Sequence, residues 1–396
     1  MWLLFAASLI NYFDRQTLAF ALPILGQEFK LDAVQKGWIA SAFFWTYALM
    51  QIPMGLAVDR FNLRWVYAGA FALWSFAQGM TGFVGSLWML IVCRMLLGIG
   101  ESIYLVGGTK IVSLFFPLAK RGLPCGVFDA GTRTGLVLEG LTIGWMLDKF
   151  GWRATFAIVG FAALIWLVPW FLATPRQMRD PSPPETQPRQ KFNWGEVGAL
   201  LRNRDMLGVL LGFFCFDYYW YFLITWLPSY LYDVRQLTIL KSAIYTSLPM
   251  LVFGVCLPLG GWFADRLIGL GWDSARTRKS IITFAFLSGL LIIPAAHVDS
   301  ANAALAFIML GCVVGLSGPN QLVLLQGCAP PEKIGLAVGV YNFVGNIAGI
   351  LAPVITGIVI KMSGGSYTSA FVLAAVMLAA STLSYWFIVG PMRQRK

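Results

Sequence analysis

Long apolar runs separated by short polar breaks make up almost the whole of this 396-residue sequence. Each run is close to twenty residues long, the length that an α-helix needs to cross about 30 Å of hydrocarbon. The pattern therefore predicts twelve transmembrane helices. They cover residues 2–25, 37–58, 65–84, 87–112, 122–146, 154–173, 206–231, 241–264, 279–296, 302–327, 334–360 and 367–389.

One long polar segment interrupts the pattern near the middle of the chain. Residues 174–205 contain five prolines and several charges, a composition typical of a loop, with a short amphipathic helix predicted for Trp194–Leu201. We therefore predict an N-terminal six-helix half in residues 1–173, a cytoplasmic linker in 174–205 and a C-terminal six-helix half in 206–396. The fold class is an all-α integral membrane protein of twelve transmembrane helices in two six-helix halves.

Composition agrees with a membrane protein. Hydrophobic residues make up 58% of the chain and charged residues 12%, with a mean hydropathy of +0.71, whereas a soluble domain carries roughly 25% charged residues. The net charge of +11 does not require nucleic acid as a partner, because basic residues of membrane proteins mainly report orientation. They are concentrated in the loops of one side, which places both termini in the cytoplasm of, we expect, a bacterial inner (plasma) membrane.

Two of the predicted spans carry ionisable residues at membrane depth. The first holds the polar run 11–15, which reads Asn-Tyr-Phe-Asp-Arg, and the fourth holds Arg94 and Glu101. A charge there costs roughly 2.5–3.5 kcal/mol on insertion scales and tends to face a cavity or a partner. Residues 94 and 101 are close to two helical turns apart and share a face. The pattern indicates a polar path through the membrane.

A short motif recurs at the end of the second span of each predicted half. Residues 55–60 read Gly-Leu-Ala-Val-Asp-Arg, and residues 261–266 read Gly-Trp-Phe-Ala-Asp-Arg. Glycine lets helices approach closely, and the aspartate can bind donors exposed at a neighbouring helix N-terminus. We predict that the motif latches one conformation; the alternative is a loop with solvated charges. The predicted latch residues are Asp59, Arg60, Asp265 and Arg266.

These two turns resemble motif A of the major facilitator superfamily, with Asn62 standing where a glycine is usual. Other segments resemble the anion:cation symporter family, which includes bacterial sugar-acid/proton symporters such as galactonate and glucarate transporters and is similar to sialin and vesicular glutamate transporters. The resembling segments are residues 11–15, 47–55, 94–101, 151–153 and 221–228, together with Asn346. The resemblance implies the major facilitator fold and proton-coupled symport of an organic anion, a sugar acid or other carboxylate, by alternating access.

The resemblance also implies roles for single residues. By motif match Asp14, Arg94 and Glu101 couple protons, with Glu101 as the central carrier. Tyr12 and Arg15 lie at the anion site. Further substrate-binding residues implied by the matching segments are Tyr47, Gln51, Tyr221 and Asn346.

The chemistry of the side chains fits these roles. The guanidinium of Arg15 stays charged and offers a planar fork to a carboxylate, and Tyr12 can add a hydroxyl. At Glu101, desolvation opposes the charged form while a nearby arginine favours it. Our hypothesis is that a proton on Glu101 frees an arginine for the anion. The alternative is a static ion-pair network, with Arg94 bound to Asp14, that joins the spans.

The fifth and seventh spans hold further unusual residues. Asp129 and Arg133 are four apart, a favourable helical ion-pair spacing, so they bind each other or Arg133 is an additional substrate-binding residue. In the seventh span the spacing of Tyr221 and Trp226 allows both to face a sugar-like ligand, although aromatic residues are also common interfacial anchors. Asp217 is unusual in such a segment and is a candidate gate or second protonation site.

Other functions fit the sequence less well. His297 is the only histidine, which excludes a histidine-based metal site and a Ser-His-Asp triad, and no phosphate-binding loop is visible, so we do not expect an enzyme. A major facilitator carrier for a lipid or amphiphile, or an organic anion exchanger, remains the alternative. We expect no cofactor apart from the proton as coupling ion. The expected partners are a small organic anion and membrane lipids, and the expected state is a monomer.

Overall fold

The computed structural model describes residues 1–115, 122–176, 178, 194–330 and 334–390, and these fold into helices without strands. Short breaks and tight turns divide the helices. The α-helices are α1 Trp2–Glu28, α2 Ala33–Arg60, α3 Leu63–Thr81, α4 Leu87–Glu101, α5 Ile103–Phe115, α6 Gly122–Ala163, α7 Leu167–Ala173, α8 Trp194–Leu201, α9 Arg204–Asp233, α10 Ile239–Gly269, α11 Ser274–Gly289, α12 Ile292–His297, α13 Ala301–Gly311, α14 Ser317–Cys328, α15 Ile334–Met362 and α16 Thr368–Leu383.

The predicted all-helical membrane architecture is confirmed. Eight helical stretches among the described residues are long and apolar enough to cross a membrane. The first helix is not one of them, because the polar run 11–15 lowers its hydropathy. The short amphipathic helix predicted at Trp194–Leu201 is present as α8.

Helix boundaries follow local sequence signals. Asp32 caps α2 with a reciprocal capping box to Gln35. α6 runs through the predicted fifth and sixth spans, and Gly151 breaks its helical geometry with φ of 73°, a conformation that glycine adopts at little cost. The predicted loop between these spans is therefore reduced to a kink.

The chain forms two compact units. The first comprises Met1–Pro188 and Ile224–Ser247, and the second comprises Arg189–Leu223 and Leu248–Lys396. The predicted division at the linker 174–205 stays a prediction.

Within the first unit, the segment Ile224–Ser247 packs against α2 and α6. Lys36 Nζ lies 3.1 Å from Asp233 Oδ2. A Cβ at Gly140 would overlap Ser247, and one at Gly144 would overlap Ala243, so these glycines allow the close approach of α6 and α10.

Candidate functional site

Arg15 and Glu101 form a buried ion pair between α1 and α4. Arg15 Nε lies 2.6 Å from Glu101 Oε2, and the two side chains are 18% and 0% exposed. The predicted anion ligand and the predicted proton carrier are therefore in direct contact, although 86 residues separate them in the chain.

Local sequence explains why Glu101 reaches this position. α4 ends at Glu101, and α5 begins at Ile103 after a break at Ser102. A Cβ at Gly98 would overlap the Phe43 backbone oxygen of α2, and one at Gly100 would overlap Trp74 of α3. The two glycines thus let the last turn of α4 approach both helices, which carries Glu101 into the interior.

Aromatic rings surround the Arg15 guanidinium. Its Cζ lies 5.6 Å from the ring centroid of Tyr12, 4.9 Å from that of Phe43 and 4.7 Å from that of Tyr47. Arg94 Cζ lies 5.4 Å from the same Phe43 ring. Cation–π contacts of this kind stabilise a charged guanidinium away from water. The predicted residues Tyr12 and Tyr47 therefore lie together around Arg15.

Asp14 and Arg94 complete the charged cluster without contacting each other directly. Asp14 is 0% exposed and Arg94 is 3% exposed, and the charge of Arg94 acts on both Asp14 and Glu101. However, among the described residues no ion pair within 4.0 Å joins Asp14 to Arg94, and neither Asp14 oxygen has a hydrogen-bond partner. The alternative of a direct Arg94–Asp14 ion pair is therefore wrong for this conformation.

The cluster holds several other polar atoms without partners in the described part of the chain. They are Arg15 Nη2 and Arg94 Nε and Nη1, whereas the Asn11 side chain faces Glu101. Buried polar atoms in proteins are nearly always hydrogen-bonded, so such a concentration calls for an explanation. These donors could serve a carboxylate or a hydroxyl group.

The remaining predicted substrate residues differ in their exposure. Gln51 lies half-buried on α2 of the first unit, one turn beyond Tyr47, whereas Trp226, also in the first unit, is fully buried. Tyr221 and Asn346 are half-buried in the second unit. The side chains of Asp129 and Arg133 lie outside the described residues, so their predicted pairing stays a prediction.

The second copy of the repeated motif forms an ion pair. Asp265 Oδ1 lies 3.0 Å from Arg278 Nη2 of α11, and Arg278 Nη1 donates to Asn320 Oδ1 of α14 at 3.0 Å. The aspartate thus binds a guanidinium rather than the exposed donors of a helix N-terminus, while Arg266 is exposed. In the first copy Arg60 is exposed, and the Asp59 side chain lies outside the described residues.

Asn62, which departs from the motif, ties the start of the linker to α3. Its Oδ1 accepts hydrogen bonds from the N–H groups of Arg64 and Met178, both at 3.2 Å, and its Nδ2 donates to Arg176 O at 2.8 Å. A glycine could make none of these side-chain bonds. The departure therefore has a structural reason.

Three residues of the site were not identified from the sequence. Phe43 contacts both arginines, the Trp74 indole faces Asp14, and Gln78 Nε2 donates to Asp14 O at 3.2 Å. Phe43 lies one helical turn before Tyr47, so this spacing could have shown that it shares a helix face with Tyr47. Nothing in the sequence distinguishes Trp74 or Gln78 from ordinary helix contacts.

Comparison with known proteins identifies a family and several relatives of this chain. The family model of the Major Facilitator Superfamily matches residues 4–353. The chain is 30% identical to the probable galactarate/D-glucarate transporter of Pseudomonas putida, covering 98% of this chain and 90% of that protein. It is 29% identical to the hexuronate transporter of Bacillus subtilis (strain 168), covering 98% and 93%. These relatives confirm the predicted resemblance to sugar-acid transporters.

Solved structures share the fold at low sequence identity. A bacterial homolog of the human lysosomal transporter Spinster, described as inward-facing and unoccupied, superposes with a TM-score of 0.82 at 19% identity, covering 100% of this chain and 98% of that chain. A D-xylose–proton symporter gives 0.75 at 14% identity, covering 99% and 98%. The protein is a multi-pass membrane transporter, not an enzyme, and the chain belongs to the major facilitator superfamily.

Proposed function

We propose that the protein is a symporter that couples the uptake of a sugar acid to protons. The observation that carries this proposal is the buried Arg15–Glu101 ion pair with a contact of 2.6 Å. Its two members have the chemistry needed for the two transported species, since arginine binds a carboxylate and glutamate binds a proton. Arg15 competes with the proton for Glu101, and Glu101 competes with the cargo carboxylate for Arg15.

Competition for Arg15 links the two ligands. While Glu101 is ionised, it occupies Arg15 Nε. A proton on Glu101 removes the charge that holds the guanidinium, which is then available to a carboxylate of the cargo. Anion binding in turn makes the return of Glu101 to its charged form less favourable, because its counter-charge is engaged. Proton and anion therefore bind together, as symport requires.

Neutral polar groups on the helices around Arg15 support the inference that the cargo carries hydroxyl groups. Tyr12, Tyr47 and Gln51 lie on the same two helices as the arginine and its aromatic neighbours. Phenol and amide groups can donate to and accept from hydroxyl groups. Together with relatives named for galactarate, glucarate and hexuronate, this favours a sugar acid over an amphiphile.

Uptake of labelled D-glucarate into proteoliposomes tests the proposal. Wild-type protein should accumulate it when the outside is more acidic than the inside. Glu101→Gln mimics the protonated acid permanently, so it should abolish accumulation driven by the pH gradient and retain exchange of external for internal D-glucarate. Uptake of D-galactonate and D-glucuronate, measured in the same way, should show which sugar acid the protein prefers.

Asp148→Asn is the matched control, because Asp148 is a surface acid with a loose contact of 3.7 Å to Lys149. It should accumulate D-glucarate as wild type does. Unchanged proton-driven accumulation by Glu101→Gln would contradict the mechanism. Exchange without any response to pH in wild type would instead identify an anion exchanger, and flipping of labelled lipid without sugar-acid uptake would identify a lipid carrier.

The proposal extends to the setting of the protein. The bias of basic residues towards one side supports cytoplasmic termini in a bacterial inner membrane. We propose a monomer that works with the proton as its coupling ion and without a cofactor.

A further inference from the structure

A lone buried carboxyl group lies in the second unit, outside the charged cluster of the first unit. Asp217 on α9 is 9% exposed. Among the described residues it has no hydrogen bond or ion pair within 4.0 Å, and no lysine or arginine acts on it. The cluster around Arg15, by contrast, balances its two acids with two arginines.

The surroundings of Asp217 are aromatic and tightly packed. A Cβ at Gly345 of α15 would lie 2.5 Å from Asp217 Oδ2 and 3.0 Å from a ring atom of Phe213. Phe213 stacks on Tyr341 with ring centroids 3.4 Å apart. Among the described residues, the titratable groups that face the carboxyl are Tyr341 of α15 and Tyr385, which follows α16. Neither supplies a positive charge.

Asp217 also lies near two residues that the sequence analysis predicts to bind the substrate. Tyr221 is four residues further along α9, one helical turn away and on the same face. Asn346 directly follows Gly345, which contacts the carboxyl. Both side chains are half-buried, so this region of the second unit is partly accessible.

An ionised carboxylate in such surroundings is strongly disfavoured, because burial removes its hydration and no counter-charge replaces it. The neutral acid avoids this cost, and its O–H group can donate a hydrogen bond. A membrane-embedded acid of this kind is by default a candidate for function rather than for packing.

We propose that Asp217 is a second proton-binding site, loaded in the conformation described here and emptied when the transport cycle brings it into contact with water. This inference rests on the proposed proton symport and adds one proton per cycle to those carried by the first unit. The proton on Asp217 would then cross the membrane in the same cycle as the cargo.

The test measures the number of protons per D-glucarate from the membrane voltage at which net flux stops, in proteoliposomes with a fixed pH gradient and a fixed D-glucarate gradient. Asp217→Asn should lower the number by one while retaining D-glucarate exchange, and Asp148→Asn should leave it unchanged. Gly345→Ala keeps the acid but displaces it, and should shift the pH dependence of exchange.

Infrared spectra of the purified full-length protein provide a readout that needs no transport. At neutral pH, wild type should show the C=O band of a protonated carboxyl group that Asp217→Asn lacks and Asp148→Asn retains. Absence of this difference overturns the proposal, as does an unchanged proton number in Asp217→Asn. Wild-type flux that ignores the pH gradient would show that the proposed function itself has failed. If Asp217→Asn does not fold, Gly345→Ala with an unaltered pH dependence overturns the inference in its place.

Discussion

At the scale of single residues, the most informative feature is the set of contacts that Arg15 makes with its neighbours. Its Nε is engaged by Glu101, aromatic rings lie around the guanidinium, and its Nη2 has no partner among the described residues. The internal carboxylate therefore occupies Nε, and the cargo obtains a parallel pair of donors only after a proton on Glu101 releases the guanidinium. A planar, delocalised cation offers such a pair, whereas a point charge does not.

Arg15→Lys tests this geometry. Lysine keeps the charge and can reach Glu101, but it offers no parallel pair of donors to a carboxylate. We expect the KM for D-glucarate exchange to rise about 10- to 100-fold, equivalent to about 1.4–2.8 kcal/mol. Arg153→Lys is the control, since Arg153 is half-exposed beside Glu28. Equal KM values for Arg15→Lys and wild type would refute this role.

A second residue-scale prediction concerns Glu28 at the end of α1. Trp152 Nε1 donates to its Oε2 at 2.6 Å, and Arg153 Nη1 lies 2.6 Å from its Oε1. The Trp152 hydrogen bond, followed by the charge of Arg153, lowers the pKa of Glu28. The folded state therefore binds this proton more weakly than the unfolded state, whose carboxyl titrates near pH ~4.3. The resulting stabilisation is complete above that pH and is lost as the pH falls through the lower, folded-state pKa.

The corresponding measurement is the melting temperature of wild type and Glu28→Gln as a function of pH. Wild type should melt at a higher temperature at pH 7, and the difference should shrink in acid. Because the Glu28 side chain is 39% exposed, solvent screening keeps the effect small. A difference that grows as the pH falls would contradict the prediction.

At the scale of helices, glycines determine which helices can meet. Gly98 and Gly100 bring α4 against α2 and α3, and Gly131 brings α6 against Phe5 and Ser8 of α1. Gly131 belongs to the predicted fifth span, and its lack of a side chain permits this close approach. The glycines of α4 thus help to place Glu101 within reach of Arg15.

Gly140→Ala tests one such contact. An added Cβ would overlap Ser247 Oγ and lie 2.6 Å from the Ala243 backbone oxygen, so α6 and α10 would have to separate. We expect destabilisation of about 1–3 kcal/mol, seen as a lower melting temperature in detergent. Gly254→Ala is the matched control, because nothing lies within 4 Å of its added Cβ. Equal melting temperatures for the two variants would show that the contact has no energetic importance.

Helical periodicity predicted much of this arrangement but not its pairings. The run 11–15 and the pair Arg94 and Glu101 could be recognised because charges are conspicuous in apolar spans. Which acid contacts which arginine depends on how α1 and α4 pack, and no pattern within one helix contains that information. For the same reason a direct Arg94–Asp14 pair could be offered as an alternative although the helices do not form it, and Trp74 was missed.

At the scale of the whole molecule, no single break in the chain separates the two compact units. The first unit includes Ile224–Ser247, which contributes the end of α9 and the start of α10, besides residues before the linker. Among the described residues, each unit contains buried acids: the first unit holds the cluster around Arg15, in which two arginines balance two acids, together with the lone Glu139, and the second unit holds the lone Asp217. Substitutions at Glu101 and Asp217 therefore report on separate sites.

The balance of charges in the cluster around Arg15 has an electrical consequence. With Asp14, Arg15, Arg94 and Glu101 all ionised, the four groups sum to zero, so each proton they accept offsets one negative charge of the cargo. A dicarboxylate carried with two such protons would produce no current. A third proton on Asp217 would make each cycle carry one net positive charge, worth about 2.3 kcal/mol per 100 mV of membrane voltage. A cell could then draw in a scarce dianion with its voltage even where the pH difference across the membrane is small.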